Sequence, residues 1–290
     1  MINRCSIFFL FTIATLHSFA YAKIHEYQTT RTKSVAGGGI GSVLLEESAF
    51  LNPASISFFQ TSSIFAQRDN FTSTDNNNSS YPKKSSMGFV LAQGDPALAG
   101  TFSYINQKEG NIERKRYGIS MSSPIANASS LGFSVRDSKD VDTSTNTTTK
   151  YYQTVFGVTH IMSNNTTMGI VLYDPFKSKA HETKLLIGFQ HNLFSYITGM
   201  FDVGADYNAD EISKKTYLAA AVQIRVLDDF YLRAGGFNDK IRNEKGESYG
   251  IAWVQPKLAF EFAIKNTKDK SSATDLKNKE TSFSISLRGI

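Results

Sequence analysis

Cysteine is nearly absent from this sequence of 290 residues, in which Cys5 is the single example. Cys5 lies in an amino-terminal stretch that, as argued below, is expected to be removed. The remaining chain would then contain no disulfide, no thiol nucleophile and no thiolate ligand for a metal ion.

A hydrophobic run long enough to cross a membrane is lacking as well. The apolar stretch at residues 7–16 has about ten residues, whereas a membrane-spanning helix needs about twenty, and no later stretch approaches that length. The sequence therefore predicts no transmembrane helix. Arg4, the apolar stretch and the small-residue pattern Ala20-Tyr21-Ala22 follow one another in the order typical of a secretory signal peptide. We expect cleavage near Ala22 and removal of residues 1–22; an uncleaved anchor is the less favoured alternative.

Clustered charge and paired histidines are also missing. Without Arg4, 30 of the 31 basic residues remain against 26 acidic ones, a net charge of about +4 that is scattered along the chain. This pattern predicts no nucleic-acid partner. The histidines after residue 22 are not three or four residues apart, so neither a metal site nor another cofactor is predicted. His160 has no nucleophile and orienting group beside it in the sequence, and we do not expect an enzyme.

What the sequence does contain is a repeated alternation of apolar residues with small or polar ones from Phe58 onward. In residues 86–92, Met87, Phe89 and Leu91 share one face. Segments of about ten residues with this period, separated by turn-rich stretches, are typical of transmembrane barrels. About fourteen segments can be counted, an even number as in bacterial barrels. We predict an all-β fold, a transmembrane antiparallel β-barrel of about 14 strands over residues 58–290.

The opposite face of the same segments carries glycine and charged residues. Glycine weakens a strand, so its repetition on one face indicates that it serves a structural or functional purpose there. A small and charged face predicts a lumen, and the apolar face is predicted to meet lipid. Lumen arginines could bind an anionic head group through paired hydrogen bonds, although pairing with lumen acids is their more frequent role. The five arginines predicted on this face are Arg114, Arg116, Arg136, Arg225 and Arg233.

The connections between the predicted strands alternate in length. Residues 94–96 and 192–195 form short turns, whereas residues 68–83, 107–112 and 138–149 are predicted as long loops. Outer-membrane barrels place short turns in the periplasm and long loops outside. A soluble β-sandwich also alternates and is the competing fold. Strand lengths near the about nine to eleven residues of tilted membrane strands favour the barrel.

Residues 23–57 do not alternate and form a separate predicted unit. A glycine cluster there requires permissive backbone torsions, but it lacks the Gly-Lys-Ser/Thr ending of a phosphate-binding loop. An acidic pair and an Asn-Pro-Ala sequence follow. The acidic pair is expected to form internal salt bridges rather than to act in catalysis. The residues concerned are Gly37, Gly38, Gly39, Gly41, Glu46, Glu47, Asn52, Pro53 and Ala54.

This order of motifs resembles the start of the FadL-type family of outer-membrane long-chain fatty-acid and hydrocarbon transporters. In that family a glycine-rich stretch, an acidic residue, a small-aromatic pair and Asn-Pro-Ala precede the first strand; Ala49-Phe50 is the matching pair here. The resemblance implies that residues 23–57 form a plug, or hatch, inside a fourteen-stranded barrel. This chain is shorter than typical members and ends in Arg288-Gly289-Ile290 rather than on an aromatic residue. No motif locates the ligand-contacting residues of the family.

The resemblance implies passive transport of hydrophobic, fatty-acid-like molecules across the outer membrane of a Gram-negative bacterium. The expected partners are membrane lipid and a hydrophobic small molecule. The inward glycines would leave room for the plug and an elongated ligand in a barrel too narrow for a wide aqueous pore. Two other hypotheses are a scaffold barrel that binds secretion or other outer-membrane proteins, and a small diffusion porin.

Overall fold

The computed structural model describes residues 24–74, 84–95, 99–178, 182–270 and 276–289. The predicted signal peptide, residues 1–22, lies outside these residues. The described chain forms one short α-helix, three short 3₁₀ helices and fourteen β-strands. The helix is α1 (Thr30–Ser34), and the 3₁₀ helices are Glu47–Ala49, Pro53–Phe58 and Ile212–Lys214.

The strands are eight to seventeen residues long. In chain order they are β1 (Ser62–Thr74), β2 (Lys84–Gln93), β3 (Gly100–Glu109), β4 (Ile112–Ala126), β5 (Ser129–Asp142), β6 (Thr147–Ser163), β7 (Thr166–Tyr173), β8 (Lys184–Leu193), β9 (Ile197–Ala205), β10 (Thr216–Leu227), β11 (Phe230–Asp239), β12 (Glu244–Val254), β13 (Leu258–Asp269) and β14 (Leu276–Arg288).

All fourteen strands belong to one closed antiparallel barrel. Each strand pairs with its neighbours in the sequence, and β14 pairs with β1 to close the ring. Closure leaves no open edge of unpaired backbone groups, which is the condition for a sheet to lie in hydrocarbon. The predicted fold class and strand number are confirmed. Among the described residues, no helix has the length and apolar character to cross a membrane.

Side chains alternate across the barrel wall with the apolar ones outside. Ile119 and Met121 on β4 and Phe283 on β14 are 59%, 57% and 51% exposed. Their inward neighbours are small and polar, such as the buried Ser120 and Ser282. A soluble sandwich would turn its apolar face inward. The apolar outer surface instead suits contact with lipid, and the sandwich alternative is wrong.

The two ends of the barrel differ in their connections. At one end, here called the base, connections of two to six residues join β2 to β3, β4 to β5 and the later pairs. The other end, here called the mouth, carries the β1–β2 connection and has connections of two to ten residues. The chain enters β1 at the base. Outer-membrane barrels place their longer loops outside, and in this barrel the longer connections lie at the mouth.

Several predicted loops at the mouth are wrong. β1 continues to Thr74, a two-residue turn joins β3 to β4, and most of residues 138–149 belong to β5 and β6. The apolar alternation stops where outward side chains leave the lipid, but the backbone ladder continues with Thr, Lys and Asn. β1 also begins later than the predicted start at Phe58: Pro53–Phe58 form a 3₁₀ helix, and the strand begins at Ser62.

Residues 24–59, here called the N-terminal segment, lie inside the barrel. Ile40, Ala54 and Ile56 of this segment are completely buried. One cluster of its apolar side chains packs against apolar residues on the inner wall of β1, β2 and β3. This cluster includes Tyr27, Leu45, Phe50 and Ile56 from the segment and Phe65, Val90 and Ile105 from the wall.

Candidate functional site

Seven inward glycines of the wall lie where the N-terminal segment passes closest to it. A methyl group added to Gly132 would overlap the backbone of Pro53 and Ala54, and one added to Gly169 would overlap the backbone of Ile40. The same holds for Gly88, Gly157, Gly188, Gly235 and Gly250, each of which faces an atom of the segment. The glycines therefore make room for the segment, which occupies the space that a ligand in the lumen would need.

The glycine cluster of the segment makes a tight turn against strands β8 and β9. Gly37 and Gly39 have φ of +83° and +116°, which glycine adopts without steric cost. Gly41 meets the backbone of Gly188 so closely that a side chain on either would collide. Asp202 of the wall fixes this turn; the sequence places it among the lumen acids that could pair with arginines, but it does not predict this contact. Its carboxylate accepts hydrogen bonds from the backbone N–H groups of Gly39 (2.8 Å) and Ile40 (3.0 Å) and is fully buried.

Asn52 ties the rest of the motif together. Its Oδ1 accepts from the backbone N–H of Ala54 (3.1 Å) and so caps the 3₁₀ helix that Pro53 begins. Its Nδ2 donates to the carbonyl of Ile40 (3.1 Å) and to Oγ1 of Thr159 on β6 (3.0 Å). Asn52 thus connects the glycine turn, the 3₁₀ helix and the wall, which explains why an asparagine follows the glycine cluster at this distance.

The acidic pair lies near the base and its two members differ in environment. Glu46 accepts from Nε of Arg288 (2.9 Å) and Oγ of Ser63 (2.8 Å); burial alone would raise the pKa of Glu46, but these partners lower it. Glu47 is buried without such a partner, with Oγ1 of Thr29 at 3.5 Å. Burial, and then the charge of Glu46, raise the pKa of Glu47 to about 7.

The segment also spans the seam at which the barrel closes. Three of its residues each contact β1 and β14 at the same time, at distances of 2.6–3.6 Å. The contacts follow the seam upward from the base. They join Glu46 to Ser63 and Arg288, Thr30 to Gln67 and Ser282, and Lys33 to Asp69 and Glu280.

Charged side chains crowd the lumen near the mouth. Two small cavities, of about 30 and 50 Å³, lie side by side there and share Glu26 and Lys184 in their walls. Each has room for only one or a few water molecules. Burial would raise the pKa of Glu26, but contact with Lys184 and the charge of Arg242 bring it down to about 2.

His25 is the neighbouring residue of the segment at the mouth. Its ring nitrogens lie 3.6 Å from Glu109 and 3.5 Å from Glu244. Burial would lower the pKa of His25, but the two carboxylates outweigh burial and raise it. Glu26 therefore holds the first residues of the segment to the wall by charge, and His25 adds to this when it is protonated. Within the described chain, no group of three or more His, Cys, Asp or Glu residues is arranged to hold a metal ion.

The structure places the five predicted lumen arginines in different environments. Arg114 forms a bidentate pair with Asp140 (2.8 and 2.9 Å), and Arg233 lies 3.0 Å from Glu261. Arg116 donates to Gln153 (2.8 Å) with Glu182 at 3.6 Å. Arg225 is exposed near the base, away from the others.

Arg136 differs from the other buried arginines. Its guanidinium donates to the carbonyl of Phe50 (2.8 Å) and lies over the ring of Tyr173, and no described carboxylate lies within salt-bridge distance of it. It lines the cavity of about 30 Å³ at the mouth and a smaller one of about 10 Å³ beside Tyr27 and Phe50. Arg136 therefore stands between the charged mouth and the apolar cluster.

The fold is similar to that of several solved channels and transporters. A CymD monoaromatic hydrocarbon channel superposes with a TM-score of 0.70 at 13% identity, over 88% of this chain and 96% of that one. The Ralstonia pickettii toluene transporter TbuX has a TM-score of 0.62 at 10% identity, over 91% and 98% of the two chains. A Pseudomonas aeruginosa FadL homologue has 0.60 at 11%, over 90% and 98%. The fold expected from the resemblance is thus confirmed. The sequence matches no protein-family model and no curated protein.

Proposed function

We propose that this protein lies in the outer membrane of a Gram-negative bacterium and passively transports hydrophobic small molecules, with residues 23–57 acting as its plug. One observation carries the proposal: a membrane-type barrel of fourteen strands holds a chain segment that fills its lumen. The solved channels of the same fold include a monoaromatic hydrocarbon channel and a toluene transporter. Passive transport requires no catalytic step.

The chemistry of the lumen favours a hydrophobic cargo over a polar one. The cavities at the mouth are too small for a water-filled path. Below them, Tyr27 and Phe50 of the segment pack on Phe65, Val90 and Ile105 of the wall. If the segment shifts, this apolar wall is the surface left for the cargo, and burial of apolar groups there supplies the binding energy.

Arg136 is the strongest of the five arginine candidates for an anionic head group. It lies between the mouth and the apolar cluster and binds only a backbone carbonyl and an aromatic face. Arg114 and Arg233 are already paired with carboxylates, so a ligand would have to displace Asp140 or Glu261 to reach them. If the carboxylate of a cargo molecule binds to Arg136, its apolar tail would lie against Phe50.

The plug hypothesis is tested by tethering the segment to the wall. Ser57 Oγ of the segment lies 2.6 Å from Ser130 Oγ on β5, and Ser122 Oγ on β4 lies 2.9 Å from the same atom. The S57C/S130C variant can therefore form a disulfide between segment and wall, whereas S122C/S130C joins wall to wall. Cys5, the only native cysteine, is expected to be lost with the signal peptide.

Phospholipid liposomes that contain oxidised S57C/S130C should take up a fluorescent fatty acid or toluene about tenfold more slowly than liposomes with the wild type. The reason is that the tether holds the plug closed. A reductant should restore the rate, and oxidised S122C/S130C should transport normally. Uptake unchanged by the tether would contradict the plug, and wild-type uptake no faster than through protein-free liposomes would contradict transport itself.

The filled lumen also keeps a second candidate function open, that of a scaffold for other outer-membrane or secretion proteins. A scaffold needs no cavity, and the two cavities at the mouth hold only one or a few water molecules each. Native mass spectrometry of the detergent-purified protein separates the two functions. A co-purified lipid or fatty acid favours transport, whereas a stable protein partner without bound lipid favours the scaffold.

A further inference from the structure

Three lysines stand directly opposite one another on the outer face of β4, β5 and β6. Lys115 pairs in register with Lys139, and Lys139 pairs with Lys150. All three are exposed and point away from the lumen, because the inward neighbours Arg114, Arg116 and Ser138 are buried. They lie near the mouth, and the three together are here called the first lysine row.

A second lysine row lies on the opposite side of the barrel. Lys245 of β12 is in register with Lys268 of β13, and Lys268 is in register with Lys277 of β14. These three lysines are exposed as well. Lys279, two residues further along β14, adds a fourth positive charge to the same outer face. Both rows lie within a few residues of mouth connections.

Like charges placed directly opposite on neighbouring strands destabilise a sheet. Nearby carboxylates offset only part of this repulsion. Glu113 lies 3.5 Å from Lys115, and Asp137 and Glu247 are exposed on the same outer face; among the described residues, the other five row lysines form no ion pair. The arrangement occurs twice on strands far apart in the sequence. An anionic partner that binds to both rows would account for it.

The position of the rows relative to the apolar surface indicates what that partner is. Tyr117 and Tyr152, two residues or about 7 Å from Lys115 and Lys150 toward the middle of the strands, are 49% and 66% exposed on the outer face. Tyr249, four residues or about 14 Å from Lys245, is 51% exposed on the same face. Ile119 and Ile251 follow two residues further on. Exposed tyrosines mark the interface between hydrocarbon and head groups. The lysine rows therefore lie at the level of the external head groups.

We infer that the two lysine rows bind the phosphate groups of a phosphorylated glycolipid in the external leaflet. A lysine ammonium donates up to three charge-assisted hydrogen bonds to phosphate oxygens, and a phosphate between two opposed lysines neutralises their repulsion. A cytoplasmic surface would offer anionic phospholipid instead, so the assignment rests on the outer-membrane location proposed above. The partner is a lipid that surrounds the barrel and is distinct from the cargo in its lumen.

The test compares three triple variants of the full chain in detergent micelles. The K115Q/K139Q/K150Q and K245Q/K268Q/K277Q variants remove one row each. The control K177Q/K214Q/K257Q removes the same charge from exposed connections. Binding is measured by native mass spectrometry with purified lipopolysaccharide, phosphatase-treated lipopolysaccharide, phosphatidylglycerol and inorganic phosphate as probes.

Each row variant should bind lipopolysaccharide about tenfold more weakly than the wild type, while the control binds as the wild type does. Treatment with phosphatase should weaken binding to the wild type similarly. Without lipid, both row variants should melt at the same temperature as the wild type or higher, because the repulsion is gone.

Unchanged binding by both row variants would overturn the inference. Equal binding of phosphatase-treated lipid would overturn it too, and equal affinity for phosphatidylglycerol or inorganic phosphate would exclude the glycolipid. The uptake assay uses phospholipid liposomes, which contain no glycolipid. A negative result for glycolipid binding by the lysine rows and a negative result for transport are therefore distinguishable.

Discussion

At the scale of single residues, the N-terminal segment is held by buried polar groups that mostly have partners. Asn52 uses both ends of its amide, and Asp202 accepts from two successive backbone N–H groups. Such groups fix one position because a shift would leave them without partners in a dry interior. Glu47 is an exception that carries charge, since it is buried beside another carboxylate and lacks a strong hydrogen-bond donor.

Glu47 should make the stability of the folded protein depend on pH. The pKa of its carboxyl is about 7 in the folded chain and about 4.3 when unfolded. Between these values the folded state binds more protons, so the free energy of unfolding falls as pH rises from about 4.5 to 7, by about 3 kcal/mol in total. In the Glu47→Gln variant, the free energy of unfolding should lack this part of the pH dependence.

Urea unfolding at several pH values, followed by the fluorescence of Trp253, the only tryptophan, measures the difference between the wild type and Glu47→Gln. The subtraction removes the effect of His25, whose raised pKa acts in the same direction at higher pH. Glu211→Gln, at an exposed loop glutamate, is the control and should keep the wild-type slope. Parallel pH profiles for the wild type and Glu47→Gln would disprove the assignment.

At the scale of elements, the seam between β1 and β14 depends on residues that belong to neither strand. Lys33 of α1 is 2% exposed, lies 2.8 Å from Asp69 and 3.6 Å from Glu280, and sits over the ring of Phe71. Asp69 also accepts from Ser282 on the opposite strand. The segment and the seam are therefore expected to stabilise each other.

Replacing Lys33 by Met should destabilise the protein by about 3 kcal/mol, because it leaves Asp69 and Glu280 buried without their cation. The loss should be local. In hydrogen exchange, amides of β1 and β14 should lose protection, whereas those of β6 and β7, on the far side, should not. The control Lys214→Met removes an exposed lysine paired with Glu211 and should change stability by less than about 0.5 kcal/mol. Equal loss of protection around the whole barrel would argue against a role at the seam.

The elements show what the sequence can and cannot predict. The apolar alternation predicts the fourteen strands and their outward faces correctly, because lipid contact selects large apolar residues at every second position. It fails at the mouth, where strands such as β1 and β6 continue with polar residues above the lipid. The inward glycines are visible in the sequence, but their partners in the segment are not. Asp202 and Gly39 are 163 residues apart and meet only through the closed fold.

At the scale of the whole molecule, the barrel resembles a porin from outside, but the N-terminal segment occupies its lumen. A small diffusion porin needs a continuous aqueous path, whereas the cavities at the mouth measure about 30 and 50 Å³. We therefore predict that the wild-type protein, inserted in planar bilayers, shows no steady ion conductance. Steady conductance would support the porin hypothesis instead.

Loosening the segment should turn this silent barrel into a conducting one. In Gly132→Ala the new methyl group would collide with the backbone of Pro53 and Ala54, whereas in Gly199→Ala, on β9, the nearest atom would be 4.0 Å away. Overpacking of this kind costs about 1–3 kcal/mol, and the closed wall can keep its strand pairing while the 3₁₀ helix moves away. Gly132→Ala should therefore show conductance events, and Gly199→Ala should remain silent. If Gly132→Ala folds, as judged by strand content, and stays silent, then moving this part of the segment does not open the lumen, and the path for a cargo must be sought at its first residues, beside Glu26 and Arg136.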